Sequence, residues 1–262
     1  MTEKPNFVLV PDDAPSPAVS SGGVLARLKG LAGTALSAAA SGGTTLLSVF
    51  GHAEPPADQD APRRPRLVFA VDATASREPA WAAAREVTDA LVKAMPGGLD
   101  VALAVHGGSR VHTFTAFTDS AATLRDRAAG VTCQAGLTRL LPILATSQKV
   151  SAIRVVVYIG DVFEENLSQG RVIADVLGRQ GTRLIVLHDT ADPSARKDAE
   201  IFWDLAKRTG GCVLPFDTSA PDRLRDLLAA VAVYAVGGAK LLRQRHSDSP
   251  GAIALLEHLG ER

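Results

Sequence analysis

One apolar stretch that ends in oxygen-bearing side chains is the first part of this sequence that could do chemistry. In LVFAVDATAS, residues 67–76, five apolar residues lead into Asp72, and hydroxyl groups follow at Thr74 and Ser76. An aspartate after a strand often closes a turn or caps the next helix. The same three oxygens could instead hold a metal ion or a phosphate. The stretch by itself leaves these three interpretations open.

Two distant segments add oxygen donors of the same kind. The apolar run AIRVVVYIGD ends in Asp161, and the loop CQAGLTRL, residues 133–140, places Thr138 at the predicted start of a helix. Magnesium takes oxygen ligands in octahedral geometry and keeps some of its water, and no His or Cys pair has the spacing of a soft-metal site. The pattern therefore predicts a magnesium or manganese site. Its candidate ligands are Asp72, Thr74, Ser76, Thr138 and Asp161.

The pattern of apolar runs predicts the fold that would bring these donors together. From residue 66 onward, uninterrupted apolar runs typical of strands alternate with segments of helical spacing. Strands without polar alternation are covered on both faces, which indicates a mainly parallel sheet. We predict a doubly wound, Rossmann-like α/β fold of six strands, with helices on both faces. The runs before and after Gly108 indicate a hairpin and supply one antiparallel edge strand. In such folds the functional crevice lies at the carboxyl ends of the central strands.

As a set, these motifs resemble the von Willebrand factor A domain family and its metal-ion-dependent adhesion site. That family carries D-x-S-x-S, then a distant Thr and a distant Asp; the matching elements here are D-A-T-A-S, A-G-L-T and I-G-D, and the resemblance covers about residues 66–240. It implies that Thr74, Ser76 and Thr138 bind the metal through their hydroxyls. It also implies that Asp72 and Asp161 act mainly through bound water. Thr74 departs from the usual Ser but keeps the hydroxyl.

The function that the resemblance implies is the binding of a partner protein, without catalysis. The cation would accept a carboxylate from the partner, as in an adhesion or scaffold module. Three shorter stretches, VDATASREPAW, GDVFEEN and AVAVYAVGGAK, are similar to a group of uncharacterised bacterial proteins with this domain. A metal-free structural scaffold of the same fold stays open as an alternative.

An enzymatic alternative rests on a second resemblance. GDVFEEN is similar to the acidic motif of haloacid-dehalogenase-type phosphatases, in which a strand-end Asp is the nucleophile and magnesium is bound nearby. In that hypothesis Asp72 is the nucleophile, and Asp161 and Glu165 bind the metal. The family needs an acid two residues after the nucleophile, however, and here that residue is Thr74. We therefore expect no enzyme activity.

Composition narrows the class of partner and the compartment. Lys plus Arg equals Asp plus Glu at 28 each, so no net charge points to nucleic acid. The two cysteines, Cys133 and Cys212, form neither a disulfide framework nor a zinc motif. We predict a protein of the reducing cytoplasm.

The domain organisation follows from shifts in composition along the chain. Residues 1–64, rich in Gly, Ala, Ser and Pro, are predicted to be a flexible tail and linker. Within them, residues 31–50 carry no charge, but small residues dominate, so we expect a tether and no membrane span. Residues 65–246 form the predicted domain, and residues 247–262 a C-terminal tail with a short helix. We also predict a helix at residues 79–95, one long closing helix at residues 221–245, and packing in the core or between helix and sheet for Trp203.

Overall fold

The structure is a computed structural model that describes residues 64–74, 98–189, 193–216 and 221–261. The remaining residues include four predicted features: the tail and its uncharged run, the helix at 79–95, and the candidate ligand Ser76. These four predictions lie outside the described residues.

The described strands form one sheet, and its topology is the predicted one. In chain order they are β1 (Arg66–Asp72), β2 (Asp100–Gly107), β3 (Arg110–Phe114), β4 (Ile153–Gly160), β5 (Arg183–Asp189) and β6 (Cys212–Phe216). Their order across the sheet is β3-β2-β1-β4-β5-β6, and only β3 is antiparallel to its neighbour. The doubly wound prediction is confirmed. The strand order reverses between β1 and β4, which is where such folds form a crevice.

The register of the sheet places the carboxyl ends of β1, β2 and β4 side by side. Asp72 pairs with His106 on β2, and Val71 pairs with Ile159 on β4. Asp161 was predicted to end β4, but the strand stops at Gly160, and Asp161 begins the loop that follows. The carboxyl ends of β1 and β4 therefore meet at one edge of the sheet, which we call the carboxyl edge. The opposite edge, where these strands begin, is the amino edge.

Helices cover both faces of the sheet. They are α1 (Ala121–Ala129), α2 (Leu140–Ser147), α3 (Leu167–Arg179), α4 (Ala199–Arg208), α5 (Pro221–His246) and α6 (Pro250–His258), with a short 3-10 helix (Pro193–Asp198) before α4. One core cluster joins α1, α5 and α6 to the face that carries Leu67 and Phe69. A second joins α2, α3 and α4 to the face that carries Val68 and Ala70. Alternate residues of β1 thus enter opposite cores, as strand geometry requires.

The last long helix is not continuous, although its sequence was predicted to be one long helix. At Gly238 the backbone takes φ 62° and ψ −161°, so α5 consists of two helical segments joined at a kink. Gly238 accepts this conformation because it has no Cβ. The helix α6 packs back on α5, with Ala252 and Leu255 buried. Asp226 of α5 holds its start by accepting hydrogen bonds from the Ser249 hydroxyl at 2.7 Å and the Gly251 N–H at 2.6 Å.

Two further findings concern the surface. Trp203, which was predicted to pack in the core, is 55% exposed, and the Lys207 ammonium lies 4.4 Å from the centre of its ring. The prediction is wrong because the buried face of α4 is formed by Phe202, Leu205 and Ala206. None of the described helices is both long and apolar enough to cross a membrane.

Candidate metal-binding site

Asp72 is held at the end of β1 by a local turn. Its carboxyl group is buried, and its Oδ1 accepts a hydrogen bond of 2.8 Å from the Thr74 N–H. A turn closed by Asp72 is one of the three interpretations that the sequence left open. The turn uses one carboxylate oxygen and directs the backbone of Thr74 across the carboxyl edge. Thr74 is itself 6% exposed and forms an isolated parallel bridge with Gln134.

The loop between α1 and α2 is bound to that turn by its backbone. The Gln134 N–H donates to the Ala73 carbonyl at 2.9 Å, and the Gly108 N–H donates to the Gln134 carbonyl at 3.3 Å. Further along, the Leu137 N–H donates to the Ser109 hydroxyl at 3.0 Å. The loop therefore lies between the β1 turn and the β2–β3 turn, and it carries Thr138 to the carboxyl edge.

Gly136 allows this close approach of two backbones. Its φ is +152°, and a Cβ built on it would lie 2.4 Å from the Ser109 nitrogen and 2.5 Å from the Gly108 backbone. Any side chain at this position would have to displace the β2–β3 turn. The motif A-G-L-T thus needs its glycine for contact between loops, close to the predicted ligand in the same motif.

Thr138 and the loop after β4 bind each other reciprocally. The Thr138 N–H donates to Glu164 Oε2 at 2.9 Å, and the Glu164 N–H donates to Thr138 Oγ1 at 3.2 Å. Thr138 is 4% exposed, and its hydroxyl oxygen keeps a further lone pair. The neighbouring Glu165 accepts a bond of 2.8 Å from the Leu141 N–H. Both glutamates therefore face the start of α2, where carboxylates are favourable.

Burial determines the pKa of Glu165. Desolvation raises the pKa of its carboxyl group above the ordinary value. Hydrogen bonds from the Leu141 and Leu140 backbone and the charge of Arg139 act in the opposite direction but are weaker. Since Glu165 accepts the Leu141 N–H, the role that the structure shows for it is that of a cap at the start of α2.

Asp161 occupies the same edge directly after β4. It is half-buried, and its carbonyl oxygen accepts a hydrogen bond of 2.9 Å from His188 Nε2 at the end of β5. This contact fixes the backbone from which the Asp161 side chain projects. The structure thus brings Asp72, Thr74, Thr138 and Asp161 to one edge at the reversal of strand order.

Sequence reasoning missed a buried histidine beside Asp72. His106, at the end of β2, is fully buried, and its Nδ1 lies 3.7 Å from Asp72 Oδ1. The Arg139 N–H donates to Nδ1 at 3.3 Å, so the proton of the neutral ring is on Nε2, which donates to the Tyr158 hydroxyl at 3.1 Å. The available signal was the pairing of a strand-end histidine with a strand-end aspartate.

Gly160 makes room for the tyrosine of this network. A Cβ at Gly160 would lie 2.4 Å from the Tyr158 hydroxyl. The G in I-G-D therefore allows Tyr158, two residues earlier on the same face, to reach His106. Tyr158 thus contacts His106, and His106 in turn accepts the N–H of Arg139, the residue next to Thr138.

The donor set fits a hard divalent cation in its chemistry. The candidate groups at this edge are two carboxyls and two hydroxyls, all oxygen, which is what magnesium and manganese prefer. Within the described residues there is no group of three or more His, Cys, Asp or Glu side chains that could hold a metal by themselves. A cation here would therefore depend on threonine hydroxyls as much as on carboxylates.

Among known proteins, the chain is similar to solved structures, and this similarity concerns the fold alone. No protein-family model and no curated protein matches the chain. A von Willebrand factor type A protein from Catenulispora acidiphila superposes with a TM-score of 0.53 at 16% identity, over 65% of this chain and 43% of that one. The vWF domain of the type V pili tip protein Mfa5 from Porphyromonas gingivalis gives 0.51 at 11% identity, over 67% and 97%.

A third structure carries a metal. Proximal thread matrix protein 1 of the mussel byssus, with a zinc-occupied MIDAS motif, superposes with a TM-score of 0.50 at 13% identity, over 65% of this chain and 46% of that one. This chain thus spans less than half of the Catenulispora and byssus proteins. The shared sheet and its flanking helices show that the protein has the von Willebrand factor A fold.

Proposed function

We propose that the carboxyl edge binds magnesium or manganese and that the bound cation accepts a carboxylate from a partner protein. The observation that supports the proposal is that the segments bearing four oxygen-containing residues, Asp72, Thr74, Thr138 and Asp161, all lie at the carboxyl edge, where the strand order reverses. Thr74 and Thr138, with Ser76, would bind the cation through hydroxyls. Asp72 and Asp161 would act mainly through water.

The chemistry of the ligands explains why such a site would bind an acid. Neutral hydroxyls leave more positive charge on the cation than direct carboxylate ligands would, so an anionic group from outside is attracted. A protein partner would add a complementary surface around that single strong contact. The site would therefore work as a binding module without catalysis, in the reducing cytoplasm that the cysteine content predicts.

The contacts favour this function over the phosphatase alternative. One oxygen of Asp72 already accepts the Thr74 N–H, so it serves the turn after β1. Glu165 caps α2 and so has a structural role in this chain. The position two residues after Asp72 is a threonine, which cannot act as the general acid that those enzymes require.

Thermal unfolding of the full-length chain tests the cation. A ligand that binds only the folded state raises its stability, by about 2.7 kcal/mol at a hundredfold excess over Kd. We expect magnesium or manganese to raise the melting temperature relative to chelator, and Thr138→Val to remove that rise. Thr146→Val is a matched control, because its hydroxyl donates to the Pro142 carbonyl within α2.

Acetate and acetamide then test the carboxylate. Acetate should raise the melting temperature further only when the metal is present, and acetamide, which has no charge, should not. If millimolar metal shifts neither wild type nor Thr138→Val, the site is a metal-free scaffold and the proposal is wrong. If metal binds but acetate adds nothing, the cation is structural and the partner hypothesis fails.

A further inference from the structure

A cavity of about 460 Å³ lies at the amino edge of the sheet, opposite the candidate metal site. It lies between the start of β4 and β5, the ends of α3 and α4, and the kinked part of α5. Ligand pockets in proteins range from about 300 to 1,000 Å³, so the space suits a small molecule. Arg154, Arg183 and Tyr234 supply its charged and aromatic lining.

Arg183 is held in place with part of its guanidinium group still available. Its Nη1 donates to the Gly210 carbonyl at 2.9 Å and lies 2.7 Å from Glu261 Oε1. The centre of the guanidinium lies 5.5 Å from the centre of the Tyr234 ring. Its Nε and Nη2 atoms make no hydrogen bond or ion pair with the residues that the structure describes. This edge of the group presents parallel N–H donors, which match the two oxygens of a carboxylate or phosphate.

Arg154 is a second cation in the lining. It follows the first residue of β4, at the irregular register between β1 and β4, and its side chain is exposed. Among the described residues, none forms a hydrogen bond or an ion pair with it. The cavity therefore contains an arginine whose charge no side chain of the described regions balances.

Three glycines with positive φ contribute backbone to the lining of the cavity. Gly181, Gly210 and Gly238 all have positive φ, and a Cβ built on any of them would meet nothing within 4 Å. These positions favour glycine because of their backbone conformation.

The other charged groups around the cavity are negative, so only the arginines could bind an anion there. The helices α3 and α4 end here, and helix C-termini bear partial negative charge. Glu261 adds a carboxylate beside Arg183, and it also accepts a hydrogen bond of 3.1 Å from the Tyr234 hydroxyl. An anion would bind here only through direct contacts with guanidinium groups, so loss of one arginine should have a large effect.

We propose that this cavity binds a small organic anion through Arg154 and the Nε–Nη2 edge of Arg183. The recognised group is an oxyanion, a carboxylate or a phosphate. The site is separate from the carboxyl edge in place and in chemistry, so it neither depends on the proposed cation nor requires a protein partner.

The test is calorimetric titration of the full-length chain, with chelator present and ionic strength held constant with sodium chloride. Inorganic phosphate and succinate are the two probes, and they distinguish phosphate from carboxylate recognition. We expect saturable binding of at least one, with Arg154→Gln weakening it about tenfold, because a charge-assisted hydrogen bond is lost. Arg223→Gln is the matched control, since Arg223 is an exposed arginine at the other end of α5.

A second variant and a measurement of melting temperature distinguish loss of binding from loss of folding. Arg183→Lys keeps the charge but removes the planar fork, so it should weaken binding while Arg223→Gln does not. The melting temperature of each variant shows whether it is folded. Absence of saturable binding up to tens of millimolar of both probes would overturn the proposal. So would an equal loss in Arg154→Gln and Arg223→Gln, which would indicate general charge screening.

Discussion

The carboxyl edge of the sheet is bordered by buried acids and histidines, whereas the amino edge is bordered by arginines. At the carboxyl edge, Asp72 and His106 are almost completely buried. At the amino edge, Arg154 is exposed and Arg183 is half-buried. The contrast teaches how a mainly parallel sheet distributes charge.

The cause is the common direction of the helices that connect parallel strands. Such helices begin at the carboxyl edge and end at the amino edge, so their positive and negative dipole ends separate. Glu164 and Glu165 contact the start of α2 at one edge. Arg183 contacts the Gly210 carbonyl just after α4 at the other. These contacts pair carboxylates with a helix start at the carboxyl edge and a guanidinium group with a helix end at the amino edge, as the dipoles favour.

The largest effect should come from the glycine that lets two loops touch at the carboxyl edge. Gly136→Ala places a Cβ 2.4 Å from the Ser109 backbone, and we expect it to lower the free energy of unfolding by about 3 kcal/mol. It should also remove the response of the melting temperature to magnesium, since Thr138 follows in the same loop. Urea unfolding measures the first and thermal unfolding the second.

Gly130→Ala is the control for that experiment. Gly130 has φ −80° and ψ −4°, and a Cβ added to it would lie 3.6 Å from its nearest neighbouring atom. Alanine should therefore be neutral or stabilise the chain by up to about 1 kcal/mol. A Gly136→Ala protein as stable as Gly130→Ala would show that the loop does not pack closely against the β2–β3 turn.

We expect a smaller loss of stability when the tyrosine at either edge is replaced by phenylalanine, and the loss should be greater at the carboxyl edge. Tyr158→Phe leaves the buried His106 Nε2–H without its acceptor, which should cost about 1 to 2 kcal/mol. Tyr234→Phe should cost less than about 1 kcal/mol, because Glu261 keeps its ion pair with Arg183. Urea unfolding of both variants measures the difference. Equal losses would remove the distinction between a buried polar network and a partly solvated one.

The smallest effect is a pH dependence at the carboxyl edge. Burial raises the pKa of Glu165, so the folded state holds a proton that the unfolded state releases, and stability falls as pH rises from about 4.5 through the folded pKa. Glu165→Gln keeps an oxygen for the Leu141 N–H but cannot ionise. The variant should gain stability over wild type across that window, by less than about 1 kcal/mol because the group is partly solvated.

Urea unfolding at a series of pH values, with chelator present, checks this prediction. The difference between the two proteins should be small below about pH 4.5, grow with pH, and then level. A difference that is constant with pH would mean that the carboxyl group is not desolvated. A difference of the opposite sign would mean that its hydrogen bonds outweigh burial.

The local signals in the sequence were sufficient to predict the sheet and its order of elements. Apolar runs such as LVFAV and VVVYI must be buried on both faces of a sheet. A chain in which strands and helices alternate buries them in a doubly wound fold. The kink at Gly238 and the exposure of Trp203 were not predicted. Both depend on which neighbouring surface each helix meets, and helical spacing does not contain that information.

For the candidate site, the sequence determined the residue types and only the tertiary structure decided their neighbours. The sequence pattern pointed to Asp72, Thr74, Ser76, Thr138 and Asp161, because hydroxyls and carboxylates that follow apolar runs can be recognised from the sequence alone. The contacts of Thr138 with Glu164 join positions 26 apart in the chain, and the arginines of the amino edge come from different strands. Such partners are chosen by packing across the sheet, and packing is set by distances in space that sequence separation does not encode.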